Sequence, residues 1–372
     1  MTISVDMIAS LVLGASVVFL AYTYVGYPFG MRLLAQKRKK QADKAALALA
    51  PALRATAILS ARDGGARLAE KLAELLALPE SDGLARILVG IDGPPFPDSA
   101  GAPFDDARVH LVAFSEARGK AAVLADLIPL ADTPILVFLD VRQTIPPGTI
   151  AKLLAAFADP AVAVASGELV FSSPTTADAA TADSYWSFEK RLRQAESAVA
   201  SVPGATGALY AIRRAATVPP PPGTLNDDVL IPMRAVLAGG RCLFVPGAAC
   251  YDVPEANLAS ELRRKRRTAA GNWQLLRLEP RLLSPRQNPI FLQFLSHKIF
   301  RVCTPFACLL IYVALLPLSL PLFALASAAL LLSLLAALAR LRFRHPALNL
   351  LAAPFLVNYT LLMAALRTAA WR

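Results

Sequence analysis

The stretch that decides the fold is Pro134–Asp140, PILVFLD, an uninterrupted apolar run that ends on a carboxylate. A short apolar run of this kind predicts a strand that is buried on both faces, as in a parallel sheet. A carboxylate at the end of such a strand needs a partner or a ligand, because an unpaired charge is costly to remove from water. Asp140 is therefore the first candidate site residue.

Three more apolar runs of this kind lie at Thr56–Ser60, Ile87–Ile91 and Val109–Ala113. Between or after them, Ala66–Leu78 and Gly119–Leu130 carry apolar residues at helical spacing. This alternation of strands and helices predicts an open, doubly wound α/β sheet over residues 54–275. Ligands of such sheets bind beyond the carboxyl ends of the strands.

The polar residues that fall at those carboxyl ends are Asp63, Asp92, Lys120 and Asp140. Some of them also have a simpler explanation. Asp63 could cap the helix that begins near Gly65, and Asp92 could belong to a plain turn. Lys120 could be a solvated lysine in the first turn of its helix. No G-x-G-x-x-G or Walker A pattern accompanies them, so neither of these two nucleotide-binding loops is predicted.

Apolar segments outside this region explain why 56% of the chain is hydrophobic and why its mean hydropathy is +0.49. The first, residues 7–31, has no charged side chain and can cross a bilayer, which takes about 20 apolar residues. Pro28 is expected to end its helix. Lys37–Lys40 and Lys44 follow, and basic residues beside a span mark the cytoplasmic side. A cleaved signal peptide is the alternative, but the segment is long and no Lys or Arg precedes it.

A second apolar block, Val302–Ala339, would be about 57 Å long as one helix, nearly twice the thickness of the bilayer core. Pro317 and Pro321 therefore predict a helical hairpin. Pro346–Leu366 carries no charge and is expected to cross once more, which gives four spans. The predicted units are a transmembrane helix at 1–31, a basic juxtamembrane linker at 32–53, the α/β domain at 54–275, an amphipathic interfacial segment at 276–300 and transmembrane helices at 301–372.

The net charge of +11 suits a nucleic acid, an anionic membrane face or a phosphorylated substrate as partner. The basic residues gather beside the predicted spans and no nucleic-acid-binding motif is present, so we expect membrane lipids and no nucleic acid as partners. The four cysteines show no C-x-x-C pair. Neither a zinc site nor a disulfide framework is predicted.

Short motifs between the predicted spans occur in a characteristic order. They are Ile58–Asp63 (ILSARD), Gly90–Gly93 (GIDG), Arg118–Lys120 (RGK), Phe138–Asp140 (FLD), Ser166–Glu168 (SGE), Gly204–Tyr210 (GATGALY), Asn226–Asp228 (NDD) and Arg264–Thr268 (RKRRT). In this order they resemble the family-2 inverting membrane glycosyltransferases of GT-A fold, relatives of cellulose, chitin and hyaluronan synthases. The resemblance implies an α/β, Rossmann-like GT-A domain in the cytoplasm, with one transmembrane helix before it and about three after it.

The resemblance also implies roles for single residues. Binding of the nucleotide-sugar donor is assigned to Asp63, Asp92, Lys120, Asp140, Arg264 and Arg267. The acceptor side is assigned to Gly204, Thr206, Gly207 and Asp227. Asp228 is the implied catalytic base, and Asp140 is the implied ligand of Mg²⁺ or Mn²⁺.

Inverting sugar transfer explains why these residue types are needed. A base takes the proton of the acceptor hydroxyl, and positive charge stabilises the departing diphosphate. Asp228 suits the first role, although Asp227 and Asp228 could merely cap a helix over Asp228–Leu237. Arg263–Arg267 suits the second role, because guanidinium groups bind phosphate oxygens as a fork. The same run could rest on anionic lipid headgroups instead.

Two departures from the family pattern leave a second hypothesis open: Arg142 stands in place of the second aspartate of D-x-D, and Gly64 replaces a glutamate. A third departure, Thr268 in place of a tryptophan, argues against long processive synthesis. The first hypothesis is a glycosyltransferase of a bacterial inner membrane. It would move a sugar, most simply from a UDP-sugar, to a lipid-linked or polysaccharide acceptor, with an oligomer or an export partner. The second is a catalytically lapsed relative that binds a nucleotide or scaffolds a polysaccharide assembly.

Overall fold

A computed structural model of the protein describes residues 4–42, 53–62, 64–79, 82–94, 103–171, 177–253, 258–339 and 346–370. Its centre is a seven-stranded sheet. The strands are β1 (Ala55–Ala61), β2 (Leu84–Asp92), β3 (Val109–Phe114), β4 (Ile135–Leu139), β5 (Val162–Phe171), β6 (Leu209–Arg213) and β7 (Arg241–Asp252). All four strands predicted from apolar runs form, and Asp140 follows directly after β4.

The sheet has the order β3-β2-β1-β4-β6-β5-β7 and one reversed strand. β1 pairs in parallel with β2 and β4, and β5 pairs in parallel with β7. β6 lies antiparallel between β4 and β5. The predicted α/β, Rossmann-like class is confirmed, but the sheet is mixed rather than wholly parallel. The reversal matters for the site, because β6 starts at the edge where its parallel neighbours end.

Helices cover both faces of the sheet. Those of the domain are α3 (Ala66–Leu76), α4 (Lys120–Leu127), α5 (Thr149–Ala155), α6 (Ala177–Val199), α7 (Asp227–Leu237) and α8 (Leu258–Leu278). Apolar residues of α3 and α5, such as Leu72 and Leu153, are buried against one face. Those of α4 and α7, such as Leu124 and Ile231, are buried against the other. Each face thus has its own core, as expected for a sheet with helices on both sides.

The N-terminal helix is longer than predicted. α1 (Val5–Ala21) passes through one π-helical turn, Tyr22–Gly26, into α2 (Tyr27–Ala42). The expected stop at Pro28 is wrong. This proline lies in the first turn of α2, beside the π-helical turn, where irregular hydrogen bonding tolerates a missing N–H. The first part of the predicted linker, up to Ala42, is therefore helical.

Three helices are long and apolar enough to cross a membrane, among the residues that the structure describes. They cover Val5–Arg38, Phe291–Leu318 and Leu320–Ala339. The last two include α10 (Phe300–Leu318) and α11 (Leu320–Ala339), which are separated at Ser319, between the two prolines that predicted a hairpin. The fourth predicted span forms α12 (Pro346–Ala370), but its apolar stretch, Pro354–Leu366, falls below the length needed.

The predicted amphipathic segment at 276–300 is a series of short turns. It contains a 3₁₀ turn at Pro280–Leu283, the short helix α9 (Phe291–Phe294) and a π-helical turn at Leu295–Ile299. Leu282 and Phe294 are fully buried in the domain core, whereas Leu292 is 68% exposed. The segment therefore joins the domain to α10 and has one buried and one exposed apolar side.

Candidate active site

The site begins where β4 ends and β6 starts. The backbone N–H of Asp140 donates to the carbonyl of Ala208 at 3.3 Å. Because β6 is antiparallel to β4, the loop that precedes β6 arrives at the carboxyl edge of the sheet. The predicted acceptor-side motif and the end of the D-x-D strand are therefore neighbours.

Lys120 connects two carboxylates at this edge. Its Nζ lies 2.8 Å from Oδ1 of Asp140 and 3.6 Å from Oδ2 of Asp227. Burial acts against the charged form, but the carboxylates of Asp227 and Asp140 raise the pKa of Lys120 above its usual value. The lysine is therefore cationic at any physiological pH. Asp227, predicted on the acceptor side, faces this donor-side lysine.

Asp92 shapes the loop that carries Lys120. Its carboxylate accepts hydrogen bonds from the backbone N–H groups of Arg118 at 2.6 Å and Gly119 at 2.8 Å. Gly119 has φ +86°, a conformation that favours glycine. Both oxygens of this buried aspartate are thus bound to the chain itself. Its predicted contact with the donor stays a prediction.

The glycine-containing loop before β6 packs directly on Asp228. A Cβ atom at Gly207 would lie 2.7 Å from Oδ2 of Asp228. The N–H of Ala205 donates to the carbonyl of Asp228 at 2.8 Å. Gly204 has φ +111° and lies against Val229, so a side chain there would be strained. The loop and the first turn of α7 therefore fix the position of the Asp228 carboxylate together.

Asp228 has the electrostatic character of a base. Burial and then the neighbouring carboxylate of Asp227 raise the pKa of Asp228. Lys298 and Lys120 act in the opposite direction and limit that rise. A carboxylate with a raised pKa holds a proton more strongly, which is what a general base requires.

α8 holds the segment that leads into α7. The amide of Asn226 donates to the carbonyl of Thr268 and to Oδ1 of Asn272, both at 3.0 Å. Gly271 permits this approach, because a Cβ there would lie 2.4 Å from Asn226. The predicted donor-binding residues of α8, Arg264 and Arg267, are exposed. Among the described residues, no contact joins either arginine to Asp140, Asp227 or Asp228.

The residue in place of the second D-x-D aspartate is engaged elsewhere. Nη2 of Arg142 lies 2.7 Å from Oδ2 of Asp252, at the end of β7. Nε2 of Gln143 donates to the same oxygen at 2.9 Å. The guanidinium charge of Arg142 is therefore matched by a buried carboxylate, and it adds little unbalanced positive charge beside Asp140.

A family model described as glycosyltransferase-like family 2 matches residues 94–271. The whole chain is also similar in structure to the mannosyltransferase PcManGT from Pyrobaculum calidifontis, solved in complex with GDP-Man and Mn²⁺. The TM-score is 0.64 at 20% identity, over 97% of this chain and 99% of that chain. Residues 94–271 are thus a glycosyltransferase-like family 2 domain, and the chain has a GT-A fold.

Other comparisons add little to this assignment. GalNAc-T7, solved with UDP, GalNAc and Mn²⁺, has a TM-score of 0.44 and 14% identity, over 68% of this chain and 57% of that chain. No curated protein matches the sequence. The family match begins at residue 94, so the predicted donor residues Asp63 and Asp92 precede it. Asp63 also lies outside the described residues.

Tyr210 of the glycosyltransferase domain ends the Gly204–Tyr210 motif, and the sequence predicted no role for it. It is 1% exposed and stacks on Phe138, with ring centroids 4.7 Å apart. Burial and the charges of Asp227, Asp228 and Asp140 raise the pKa of Tyr210 well above its usual value. Neither its hydroxyl nor Oδ2 of Asp227 has a hydrogen-bond partner among the described residues. Buried polar atoms without partners beside Asp228 indicate that a ligand or ordered water completes the site.

The sequence reasoning also missed a buried ionic network beneath the glycine-containing loop. Nε2 and Nδ1 of His297 lie 2.8 Å from carboxylate oxygens of Glu189 and Glu196. Both ring nitrogens therefore lie within hydrogen-bond distance of a carboxylate. Nη1 of Arg301 contacts Glu189 at 2.8 Å, and Tyr27 of α2 donates to Glu196. The network thus joins α6 to the helices that flank the domain.

Arg193 connects this ionic network to the loop. Its Nε lies 3.4 Å from Glu189, and its Nη1 donates to Oγ1 of Thr206 at 3.3 Å. Burial acts against the charged form, but His297 and the two arginines hold the pKa of Glu189 well below its usual range. The sequence signals for this network were Glu189 and Glu196, seven residues apart on α6. The others were the basic residues His297 and Arg301, four residues apart at the start of an apolar helix.

Proposed function

We propose that this chain transfers a sugar from a nucleotide-diphosphate sugar, most simply a UDP-sugar, to a lipid-linked or polysaccharide acceptor, with inversion at the anomeric carbon. The observation that carries the proposal is the meeting of Lys120, Asp140, Asp227 and Asp228 at the carboxyl edge of the sheet. Ligands of open α/β sheets bind at this edge. The family match supports a glycosyl donor as that ligand.

Asp228 is the proposed base. Its carboxylate is fixed against Gly207 and would take the proton of the acceptor hydroxyl as that oxygen attacks the anomeric carbon. The bond from that carbon to the diphosphate oxygen then breaks, and the leaving group departs on the opposite side. A single in-line displacement of this kind inverts the configuration.

Lys120 is the proposed stabiliser of the departing diphosphate. Asp140 and Asp227 keep its ammonium charged and in place before the donor binds. Preorganised charge stabilises a developing anion without reorganisation during the reaction. The exposed Arg264 and Arg267 are proposed to reach the same phosphates.

A divalent cation is a further expectation, and the residues fit one. Asp140 is 39% exposed and contacts Lys120 through Oδ1, which leaves its second oxygen for a cation. Mg²⁺ often takes only one or two carboxylates when phosphates supply the remaining ligands. Within the described residues, no group of three or more His, Cys, Asp or Glu side chains could hold a metal alone. Asp140 would therefore hold Mg²⁺ or Mn²⁺ only together with the diphosphate, whose charge the cation would neutralise.

The apolar helices support the proposed acceptor and location. Three helices of spanning length support a membrane protein. We place it in a bacterial inner membrane with the domain on the cytoplasmic side, because a basic cluster follows the first helix. A lipid-linked acceptor would present its sugar at that surface. An oligomer or a separate export partner would move a long product across the bilayer.

The direct test is release of nucleoside diphosphate by the purified full-length protein in detergent, with a panel of nucleotide-sugar donors and Mg²⁺ or Mn²⁺. We expect turnover with at least one donor, and a loss of about 10²- to 10⁴-fold in Asp228→Asn. Thr217→Val, at the other end of β6, is the control and should keep full activity. Turnover that survives in Asp228→Asn would refute the assigned base.

A catalytically lapsed relative is the second candidate, and the Arg142–Asp252 ion pair is the observation that favours it. That pair stands where a second metal-binding carboxylate is expected. In this case the protein would bind UDP, measured by titration calorimetry, yet would turn over none of the donors. Membranes that contain lipid-linked acceptors would give the same negative result.

A further inference from the structure

A lysine occupies an apolar position of α3. Leu68, Leu72 and Leu75 form the buried side of this helix, and Lys71 lies at helical spacing from the first and the last of them, on the same side. Lys71 is 2% exposed. Burial lowers the pKa of Lys71, and the carboxylate of Glu74 opposes that effect. Replacement of a buried ion pair by apolar residues is often neutral or stabilising, so stability alone does not explain a lysine here.

Lys71 and Glu74 contact the backbone of residues 141–146, which we call the β4 loop. Nζ of Lys71 donates to the carbonyl of Gln143 at 2.7 Å. The N–H of Ile145 donates to Oε1 of Glu74 at 2.5 Å, and Nζ of Lys71 lies 3.2 Å from the same oxygen. The two side chains therefore satisfy one acceptor and one donor of the β4 loop and hold each other in position.

The other side of the β4 loop is bound to β7. Thr144 and Tyr251 exchange two backbone hydrogen bonds, at 3.0 and 2.8 Å. Nε2 of Gln143 donates to Asp252 at 2.9 Å. The β4 loop begins directly after Asp140, so its course determines where the carboxylate of Asp140 points.

The α3 side of the β4 loop is not closely packed. A cavity of about 510 Å³ lies between the loop and the helix, and its lining includes Val141, Ile145 and Pro146 of the loop and Glu70 of α3. Such a cavity interrupts the apolar contacts between the two elements. The hydrogen bonds from α3 therefore have a larger share in holding the loop.

We propose that Lys71 is a positioning residue of the active site, which fixes the β4 loop together with Glu74 and so orients the carboxylate of Asp140 toward the donor diphosphate and its cation. This proposal rests on the proposed transferase function and adds a residue that acts through the loop. Asp140 contacts Lys120 through Oδ1, so a shift of the loop would move the second oxygen, which is the one proposed to meet the cation. Groups that orient a metal ligand typically change metal affinity or activity about 10- to 100-fold.

The experiment measures the binding of UDP to the full-length protein in detergent by titration calorimetry, once with Mn²⁺ and once with EDTA. Lys71→Met keeps the length of the side chain and removes its donor groups. We expect the affinity of this variant for UDP in Mn²⁺ to fall about 10-fold. Its affinity in EDTA should stay near that of the wild type, because Asp140 is proposed to meet the diphosphate through the cation. General damage to the fold would weaken binding in both conditions.

Lys152→Met is the matched control. Lys152 of α5 also donates to a backbone carbonyl, that of Gly247 at 3.0 Å, which lies within β7 and not in the β4 loop. This variant should bind UDP like the wild type. Glu74→Gln keeps an oxygen that can accept from Ile145, whereas Glu74→Ala removes it, so the alanine variant should show the loss in Mn²⁺ and the glutamine variant should not. This pair tests the proposal independently of how well Lys71→Met folds.

Hydrogen–deuterium exchange on the same samples, without UDP, follows the β4 loop directly. The amides of residues 143–145 should exchange faster in Lys71→Met and Glu74→Ala than in the wild type. Unchanged exchange there, wild-type affinity for UDP in Mn²⁺ in both variants, or an equal loss of affinity in Lys152→Met would each overturn the proposal. Wild-type protein that fails to bind UDP, with faster exchange in the two variants, would count against the transferase function and not against the role of Lys71 in holding the loop.

Discussion

Two groups of cationic side chains in this protein differ in almost every respect. Arg263–Arg267 on α8 is five consecutive basic residues, all of them exposed. The ionic network around Glu189 draws its members from α6, the π-helical turn and α10, and its central residues are buried. The first group is obvious in the sequence, and the second is invisible there. A conspicuous run of charge marks a surface that is open to solvent, lipid or ligand, whereas the charges that hold the loop in place come from distant positions.

The energetic expectation for the two groups differs as well. An exposed ion pair contributes about 0–1 kcal/mol, because water and salt screen it. Removal of one member of a buried pair costs about 3–5 kcal/mol, because its partner is left charged without compensation. The predicted effects below follow this contrast, from the largest to the smallest.

The largest effect is expected from Glu189→Gln in the buried network. His297, Arg301 and Arg193 would lose their shared carboxylate, at a cost of about 3–5 kcal/mol in the free energy of unfolding. The measurement is thermal unfolding in detergent, with Arg267→Gln as the matched variant of the exposed group. Equal melting temperatures of the two variants would show that the buried and the exposed group contribute equally to stability.

The pH dependence of the stability lost in Glu189→Gln tests the same contrast. The pKa of Glu189 is lowered in the folded protein, so its stabilisation is fully present above the pKa of a free glutamate and is lost as the pH falls through the folded value. The wild type should therefore lose its advantage over Glu189→Gln only in acid. A loss of stability in Glu189→Gln that stays constant down to acid pH would mean that packing, and not charge, is responsible.

The next effect concerns the loop that the network supports. In Gly207→Ala the new methyl group would lie 2.7 Å from Oδ2 of Asp228 and displace that carboxylate. We expect a loss of about 10²-fold in transfer rate, with a near-native melting temperature. Gly30→Ala is the matched control, since a Cβ there meets nothing within 4 Å. Full activity of Gly207→Ala would show that this contact does not set the geometry.

A smaller effect is expected from Asp227→Asn on the pH profile of donor turnover. Asp227 contributes to the raised pKa of Asp228, so its neutralisation should move the acid limb of kcat/KM to lower pH. Activity of the wild type should fall as the pH drops through the pKa of the base. An acid limb that stays in place would assign it to another group.

The smallest effect on stability is expected from the exposed run. Arg264→Gln and Arg267→Gln should each change the free energy of unfolding by no more than about 0.5 kcal/mol. Binding to vesicles of anionic lipid should weaken about fivefold for each removed cation if the run rests on headgroups. Weaker UDP binding with unchanged vesicle binding would favour the donor-site role instead.

The sequence was sufficient for much of the fold. The four strands around β1 and β4 could be predicted because parallel strands are buried on both faces and read as uninterrupted apolar runs. Asp140, Lys120 and Asp92 could be placed near one another because the carboxyl ends of such strands share an edge. Local signals thus sufficed wherever burial alone dictates the pattern.

Other features depended on information that a local pattern lacks. The reversed direction of β6 is a property of the sheet and not of its five residues. Pro28 was predicted to end a helix, but the π-helical turn before it relieves the constraint. His297 and Glu189 carry no mark of partnership, because their 2.8 Å contact exists only once α6 and the π-helical turn meet.

The separation of Glu189 from its cations also has a consequence for biogenesis. Arg301 follows Glu189 by 112 residues, and it lies in the first turn of the long apolar helix α10. During translation the acidic side chains of α6 therefore stay hydrated until Arg301 has left the ribosome and has been delivered to the insertion machinery. A nascent protein truncated before residue 301 would lack Arg301, one of the partners of Glu189, so the ionic network is completed late in synthesis.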